Sequence, residues 1–240
     1  MVDYEPIQLQ FDRGEGKGGP SHTVASRTND GRNVSSQIAV VSTNGRILLA
    51  QAGNGSAAAT LTRLVLAFDG AGGEATGDNR AFRTLAKSYG ADPYDEGFFS
   101  GHSNGNPAIT MALQFHKANP NAPIFVMGYS AGGDEAIYVA NQLGSRGIKI
   151  AGLVTFDPHI DWFFGIKTYS LDKNVVRALN FRQVNDVELG PNTFRGGFVK
   201  GAQNVVLSDS NHINIVTDAI RSYRGLIDAV MSVGTAKEQL

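Results

Sequence analysis

The chain has 240 residues, of which 42% are hydrophobic and 18% charged. That balance suits one large α/β domain and excludes a disordered polyelectrolyte. A formal net charge of −1 provides no field to hold nucleic acid, so no nucleic-acid partner is expected. Cysteine is absent, which removes disulfide frameworks, thiolate metal sites and cysteine nucleophiles together and leaves oxygen nucleophiles and histidine for any catalysis.

Residues 1–35 are polar and dotted with glycine and read as an arm, leaving 36–240 as a single α/β domain. The first residues carry neither the basic start nor the apolar stretch of a signal peptide, and no run approaches the ~18 apolar residues of a membrane span. A cytoplasmic location is the default expectation, with signal-independent export as the alternative. Next come QIAVVS and RILLAQ, joined by Asn44-Gly45; they predict a hairpin over 37–51 that adds an antiparallel edge to the sheet.

From residue 63 onward, short apolar runs alternate with helix-like segments. Strands are predicted at 63–68, 124–129, 150–156, 175–183 and 204–208, each rich in Val, Ile, Leu and Phe. Helices are predicted at 79–89, 107–118, 132–146 and 213–232, with Pro107 suited to a first turn and Gly147 to a stop. The rhythm predicts a mostly parallel sheet flanked by helices, with functional loops at the carboxyl ends of the strands.

The strand run IFVMGY leads directly into a helical segment, so Gly128-Tyr129-Ser130-Ala131-Gly132 is a G-x-S-x-G at a strand-to-helix junction. A sharp turn there lifts Ser130 above the sheet and aims the first helical amides, Ala131 foremost, at an oxyanion. The same pattern recurs as Gly101-His102-Ser103-Asn104-Gly105, but no buried strand precedes it, and Ser103 reads as a loop residue. A serine hydroxyl needs an adjacent base, and the base needs an acid to hold its tautomer. His212 follows the last strand in SDSNHINI, just before the final helix. For the acid, Asp157 ends the strand IAGLVTF before Pro158, while the alternative, Asp186, follows the next strand. The second oxyanion donor falls to Gly70 or Ala71 in Asp69-Gly70-Ala71-Gly72-Gly73, a loop that matches neither a phosphate cradle nor a dinucleotide fingerprint.

On GYSAGG, FDPH, SNHINI and DGAGG, in that order, the sequence resembles the α/β-hydrolase superfamily, specifically its lipase-like and esterase-like members, from about Arg63 to the final helix. DGAGG is also similar to a loop of some bacterial phospholipase effectors, which would fit a secreted effector. Asp69 stands where common esterases begin this loop with His-Gly, which leaves Gly70 and Ala71 both as candidates. The resemblance implies hydrolysis of an ester, thioester or amide through an acyl-serine, with no metal or organic cofactor. It implies a small-molecule or lipid acyl partner and names no protein partner. Trp162, Phe163 and Phe164, between Asp157 and the next strand, read either as an acyl-binding wall or lid or as packing for a helix. A non-catalytic binding module on the same fold is the competing class.

Overall fold

The computed structural model describes residues 24–27, 33–36, 38–41, 48–51, 63–73, 77–96, 104–159, 168–185, 187–189, 192–194 and 196–232. The chain divides into two compact units, Met1–Thr62 and Arg63–Leu240. In the first, strands β1 (Val24–Arg27) and β2 (Asn33–Ser36) pair antiparallel, as do β3 (Ile38–Val41) and β4 (Leu48–Gln51). The hairpin expected over 37–51 corresponds to β3 and β4; its Asn44-Gly45 turn lies outside the described residues.

The second unit runs β5 (Leu64–Ala71), α1 (Asn79–Ser88), β6 (Tyr94–Glu96), α2 (Gly105–Ala118), β7 (Ile124–Tyr129), α3 (Ala131–Gly144) and β8 (Gly152–Phe156). It continues with β9 (Thr168–Ser170), β10 (Ala178–Arg182), β11 (Val187–Leu189), β12 (Asn192–Phe194), β13 (Phe198–Lys200), β14 (Gln203–Val206) and α4 (Ile215–Met231). Six strands form one sheet in the order β14-β10-β8-β7-β5-β6, and every pairing in it is parallel. The expectation that the hairpin adds an antiparallel edge is therefore corrected: β3 and β4 form a two-stranded sheet of their own. Three-residue strands such as β6 and β13 carry no readable periodicity, and the sequence gives no sign of them.

Side-chain alternation along the strands decides which helix each residue meets. Phe125, Met127 and Tyr129 of β7, with Phe156 and Phe181 on the neighbouring strands, join Phe82 of α1 and Ile215, Ala219 and Ile227 of α4 in one buried cluster. Phe156 and Phe181 stack with centroids 5.3 Å apart. Burying each such side chain is worth about 1.5–3 kcal/mol, so this face is a principal source of the fold's stability. On the other face of β7, α3 packs against the sheet, and Gly128 lies against Gly132 and Gly133. Because the chain steps from β5 out to β6 and back past it to β7, the loops after β5 and β7 leave the sheet side by side, at the crevice where α/β sheets hold ligands. Among the described residues no helix is long and apolar enough to cross a membrane.

Candidate active site

Ser130 stands between the last residue of β7 and the first of α3, with φ 55 and ψ −122. An L-residue in that conformation costs about 1–3 kcal/mol and persists only where its surroundings impose it. They do so here through the main chain. The Ser130 amide donates to the Phe156 carbonyl at 2.9 Å, and the Ser130 carbonyl accepts from Gly133 at 2.9 Å and His159 at 3.1 Å. Glycine provides the clearance: a Cβ at Gly128 would meet the Gly132 carbonyl oxygen at 2.0 Å, and one at Gly132 would meet the Phe68 carbonyl oxygen at 2.2 Å.

His212 lies in the turn between β14 and α4, 5% exposed. Its loop is held locally: the Asn211 amide donates to Asn214 Oδ1 at 2.8 Å, and Asn185 Nδ2 reaches across to the Ser210 carbonyl at 2.8 Å. Its imidazole spans Ser130 and Asp157. Nε2 is 2.9 Å from Ser130 Oγ and Nδ1 is 2.7 Å from Asp157 Oδ2. A carboxylate at Nδ1 selects the tautomer that carries its proton there and leaves Nε2 to accept from the serine hydroxyl.

Asp157 follows β8 with φ 48, a second left-handed residue at the same edge, and is fully buried. A buried carboxylate needs several donors. The Gln183 amide donates to Oδ1 at 3.0 Å and Gln183 Nε2 to Oδ2 at 3.1 Å, beside the His212 ring. Asp186 lies outside the described residues, as do Ser103 and the aromatic residues Trp162, Phe163 and Phe164. So the structure brings together Ser130, Asp157 and His212, in the chain order serine, acid, base.

The glycine loop is fastened by the side chain of Asn79. The Gly70 amide donates to Asn79 Oδ1 at 2.6 Å while Asn79 Nδ2 donates back to the Gly70 carbonyl at 2.9 Å, so Gly70 is gripped from both sides and its amide already has an acceptor. Ala71 follows a shift in the β5–β6 register, the kind of irregularity that re-aims backbone beside a site, and Gly72 and Gly73 then turn the chain at φ 96 and 80. Asp69, where a His-Gly start was missing, is buried and ion-paired with Arg83. Ala131 opens α3, so its amide is among those a helix leaves without an intrahelical acceptor. Among the described residues no group of three or more His, Asp or Glu is arranged to hold a metal ion.

A parallel sheet with helices on both faces, a G-x-S-x-G elbow at the end of its central strand, and a histidine before the last helix define one architecture. The chain has the α/β-hydrolase fold. No family model and no curated protein matches the sequence. Solved structures of similar shape include a protein from Thermoplasma acidophilum described as a predicted CIB-like hydrolase, 16% identical, covering 82% of this chain and 99% of that one with a TM-score of 0.43. A hormone-sensitive lipase from a metagenome library is 13% identical over 86% of each chain, with a TM-score of 0.46. The SrfTE thioesterase domain, which cyclises the lipopeptide surfactin, is 11% identical over 72% of this chain and 93% of that one, with a TM-score of 0.41.

Within the α/β-hydrolase fold, the residues that sequence reasoning missed are the supporting ones. Gln183 reads as the polar end of a strand, yet it supplies two of the donors to Asp157. Asn79 reads as the start of a helix, yet its side chain shapes the glycine loop. Tyr129 occupies the variable position of the elbow motif, and its hydroxyl contacts are visible only in three dimensions.

Proposed function

We propose that the protein is a serine hydrolase that cleaves an apolar acyl ester through an acyl-Ser130 intermediate. The observation that carries this reading is the unbroken hydrogen-bond chain from Ser130 Oγ through His212 to Asp157, with distances of 2.9 and 2.7 Å. These are hydrogen-bond lengths at which a base takes up the serine proton as the new bond forms.

Ser130 Oγ attacks the acyl carbon while its proton passes to His212 Nε2, and the buried Asp157 carboxylate stabilises the imidazolium. The carbonyl oxygen becomes an oxyanion. It takes the Ala131 amide and, because Gly70 is engaged by Asn79, the amide of Ala71. Collapse of the tetrahedral intermediate breaks the bond to the leaving alkoxide, which takes the proton from His212. A water then repeats the sequence on the acyl-serine, giving its proton to His212 and releasing the acid and free Ser130. Support for an apolar acyl group comes from exposed apolar residues adjacent in sequence to the site: Ile213 after His212 is 47% exposed, and Val184 after Gln183 is 40% exposed.

Covalent labelling by a fluorophosphonate tests the reading. Wild type is labelled at Ser130 and Ser130→Ala is not; labelling that survives Ser130→Ala sinks the assignment. Acyl esters of rising chain length, run beside matched thioesters and amides, then decide the bond and the acyl group, and turnover of the amides alone would replace the esterase reading.

A further inference from the structure

Tyr129, the residue before the serine, is 2% exposed and packs on the α1/α4 side of β7. Its hydroxyl donates to the main-chain carbonyl of His212 at 2.7 Å, and its ring lies 5.4 Å from the imidazole. The same hydroxyl oxygen accepts from the Asp78 amide at 3.3 Å. The Asp78 carboxylate in turn accepts the amide and the hydroxyl of Thr217, both at 2.7 Å. Thr217 is in the first turn of α4, which begins three residues after His212. The histidine loop is thus held at both ends, by Tyr129 at His212 itself and by Asp78 at the helix that follows.

The neighbouring Asn79 carries the other half of this arrangement. Besides gripping Gly70, its Nδ2 donates to the Gly73 carbonyl at 2.7 Å. The turn Gly77-Asp78-Asn79 therefore fastens the glycine loop after β5 to the elbow after β7 and the histidine loop after β14. The fit is close: Gly77 has φ 55, and a Cβ there would meet Tyr129 Oη at 2.8 Å. None of these side chains hydrogen-bonds Ser130 Oγ or an imidazole nitrogen among the described residues, so the network reaches the reacting atoms through the main chain of His212.

We infer that Tyr129 and Asp78 are positioning residues, which set where the His212 imidazole stands between Ser130 and Asp157. The inference rests on the serine-hydrolase reading. Burial first of all pushes the hydroxyl's titration above the ordinary phenol range, so it keeps the proton it donates to the His212 carbonyl. A proton transfer over a distance of 2.9 Å is sensitive to small displacements of the base, so loosening the His212 main chain slows acylation while leaving substrate binding in place.

The test uses the full chain and the variants Tyr129→Phe, Asp78→Asn and Asp78→Ala, with Ile150→Val as a buried control remote from the site. Active sites are counted by fluorophosphonate labelling, and kcat, KM, the labelling rate constant and the thermal midpoint are measured for each. Tyr129→Phe and Asp78→Ala are expected to lower kcat and the labelling rate constant together, by about tenfold per site, with KM within about twofold. Asp78→Asn keeps one oxygen for Thr217 and is expected to recover part of the loss. It also provides the comparison if Tyr129→Phe does not fold. Ile150→Val is expected to lower the midpoint and leave kcat per site unchanged.

A wild-type kcat and labelling rate in both Tyr129→Phe and Asp78→Ala, whatever their midpoints, overturns the inference, as does a loss confined to KM. A wild type that is not labelled at Ser130 overturns the hydrolase reading and this inference with it. A labelled wild type with indifferent variants overturns this inference alone.

Discussion

Gly196 rests directly on the carboxylate of Asp157: a Cβ built at position 196 would fall 1.6 Å from Oδ1. The contact is held in place by its neighbours, since Arg182 Nε donates to the Gly196 carbonyl at 3.2 Å and the Gly197 amide donates to the Pro158 carbonyl at 3.0 Å. Any side chain here must push the Asp157 carboxylate off its line with His212. Gly196→Ala is expected to lower kcat by about 10- to 100-fold with little change in KM. Steady-state kinetics on a short acyl ester decide it, and an unchanged kcat would show that the Gly196 backbone yields instead.

Gln183 gives Asp157 one donor from the main chain and one from the side chain. Gln183→Leu keeps the first, removes the second and preserves the approximate volume. One oxygen of a buried carboxylate then loses a donor, and the carboxylate is freer to turn from the imidazole. The expected result is a fall in kcat of about tenfold. A Gln183→Leu enzyme as fast as wild type would remove Gln183 from the supporting shell.

The two carboxylates proposed for the acid are separated by single substitutions. Asp157→Asn leaves the size of the side chain unchanged but presents the imidazole with the wrong tautomer partner, and the expected loss in kcat is about 10³- to 10⁴-fold. Asp186→Asn is expected to stay within about twofold. The reverse pattern would reassign the acid to Asp186 and leave Asp157 as a turn residue.

Much of this site could be read from the chain because its key residues sit where the sequence changes texture. Ser130 ends an apolar run and begins a glycine-flanked helix; Asp157 ends another apolar run before proline; His212 stands between a strand and the last helix. Those transitions are local, so hydropathy and turn chemistry find them. Gln183, Asn79 and Gly196 act on residues 26, 9 and 39 positions away in sequence, and nothing in their own neighbourhoods marks them. Gly70 and Ala71 stay equal candidates in the sequence for the same reason: both lie in one glycine-rich run, and nothing in that run marks the side chain of Asn79, which grips Gly70. The expected antiparallel edge failed because a hairpin signal fixes the partner of each strand but not the sheet it joins.

The glycines of the second unit divide by what surrounds them. A Cβ at Gly132 would meet main-chain oxygens of Phe68 and Asp69 at 2.2 and 2.3 Å, and main chain cannot rotate away. Gly132→Ala is therefore expected to destabilise the fold by several kcal/mol, or to prevent it, as tight overpacking does. Gly225 lies within α4 with nothing inside 4 Å of its Cβ position, and alanine there should stabilise by about 0.5–1 kcal/mol. Chemical denaturation of both variants checks the pair, and a Gly132→Ala as stable as wild type would mean that α3 can move away from β5.

Tyr129 also predicts the alkaline limit of the fold. Burial is the largest cause that raises its titration above the ordinary phenol value of 10.0; the unfolded chain keeps the ordinary value. Above that pH the unfolded state gives up the phenolic proton while the folded state retains it, so the unfolded state binds fewer protons and stability falls as pH rises. The stabilisation is complete below the unfolded value and is lost on the way up to the folded one. Each such group contributes a slope of about 1.4 kcal/mol per pH unit in that window. Tyr89 titrates in the same direction, chiefly through burial and its bond to Asp228, so the wild type carries at least two. Tyr129→Phe removes one and should lose stability less steeply between about pH 10 and about pH 11. Urea unfolding of both proteins across that interval measures the difference, and equal slopes would mean that the Tyr129 hydroxyl ionises in the folded chain as readily as in the unfolded one.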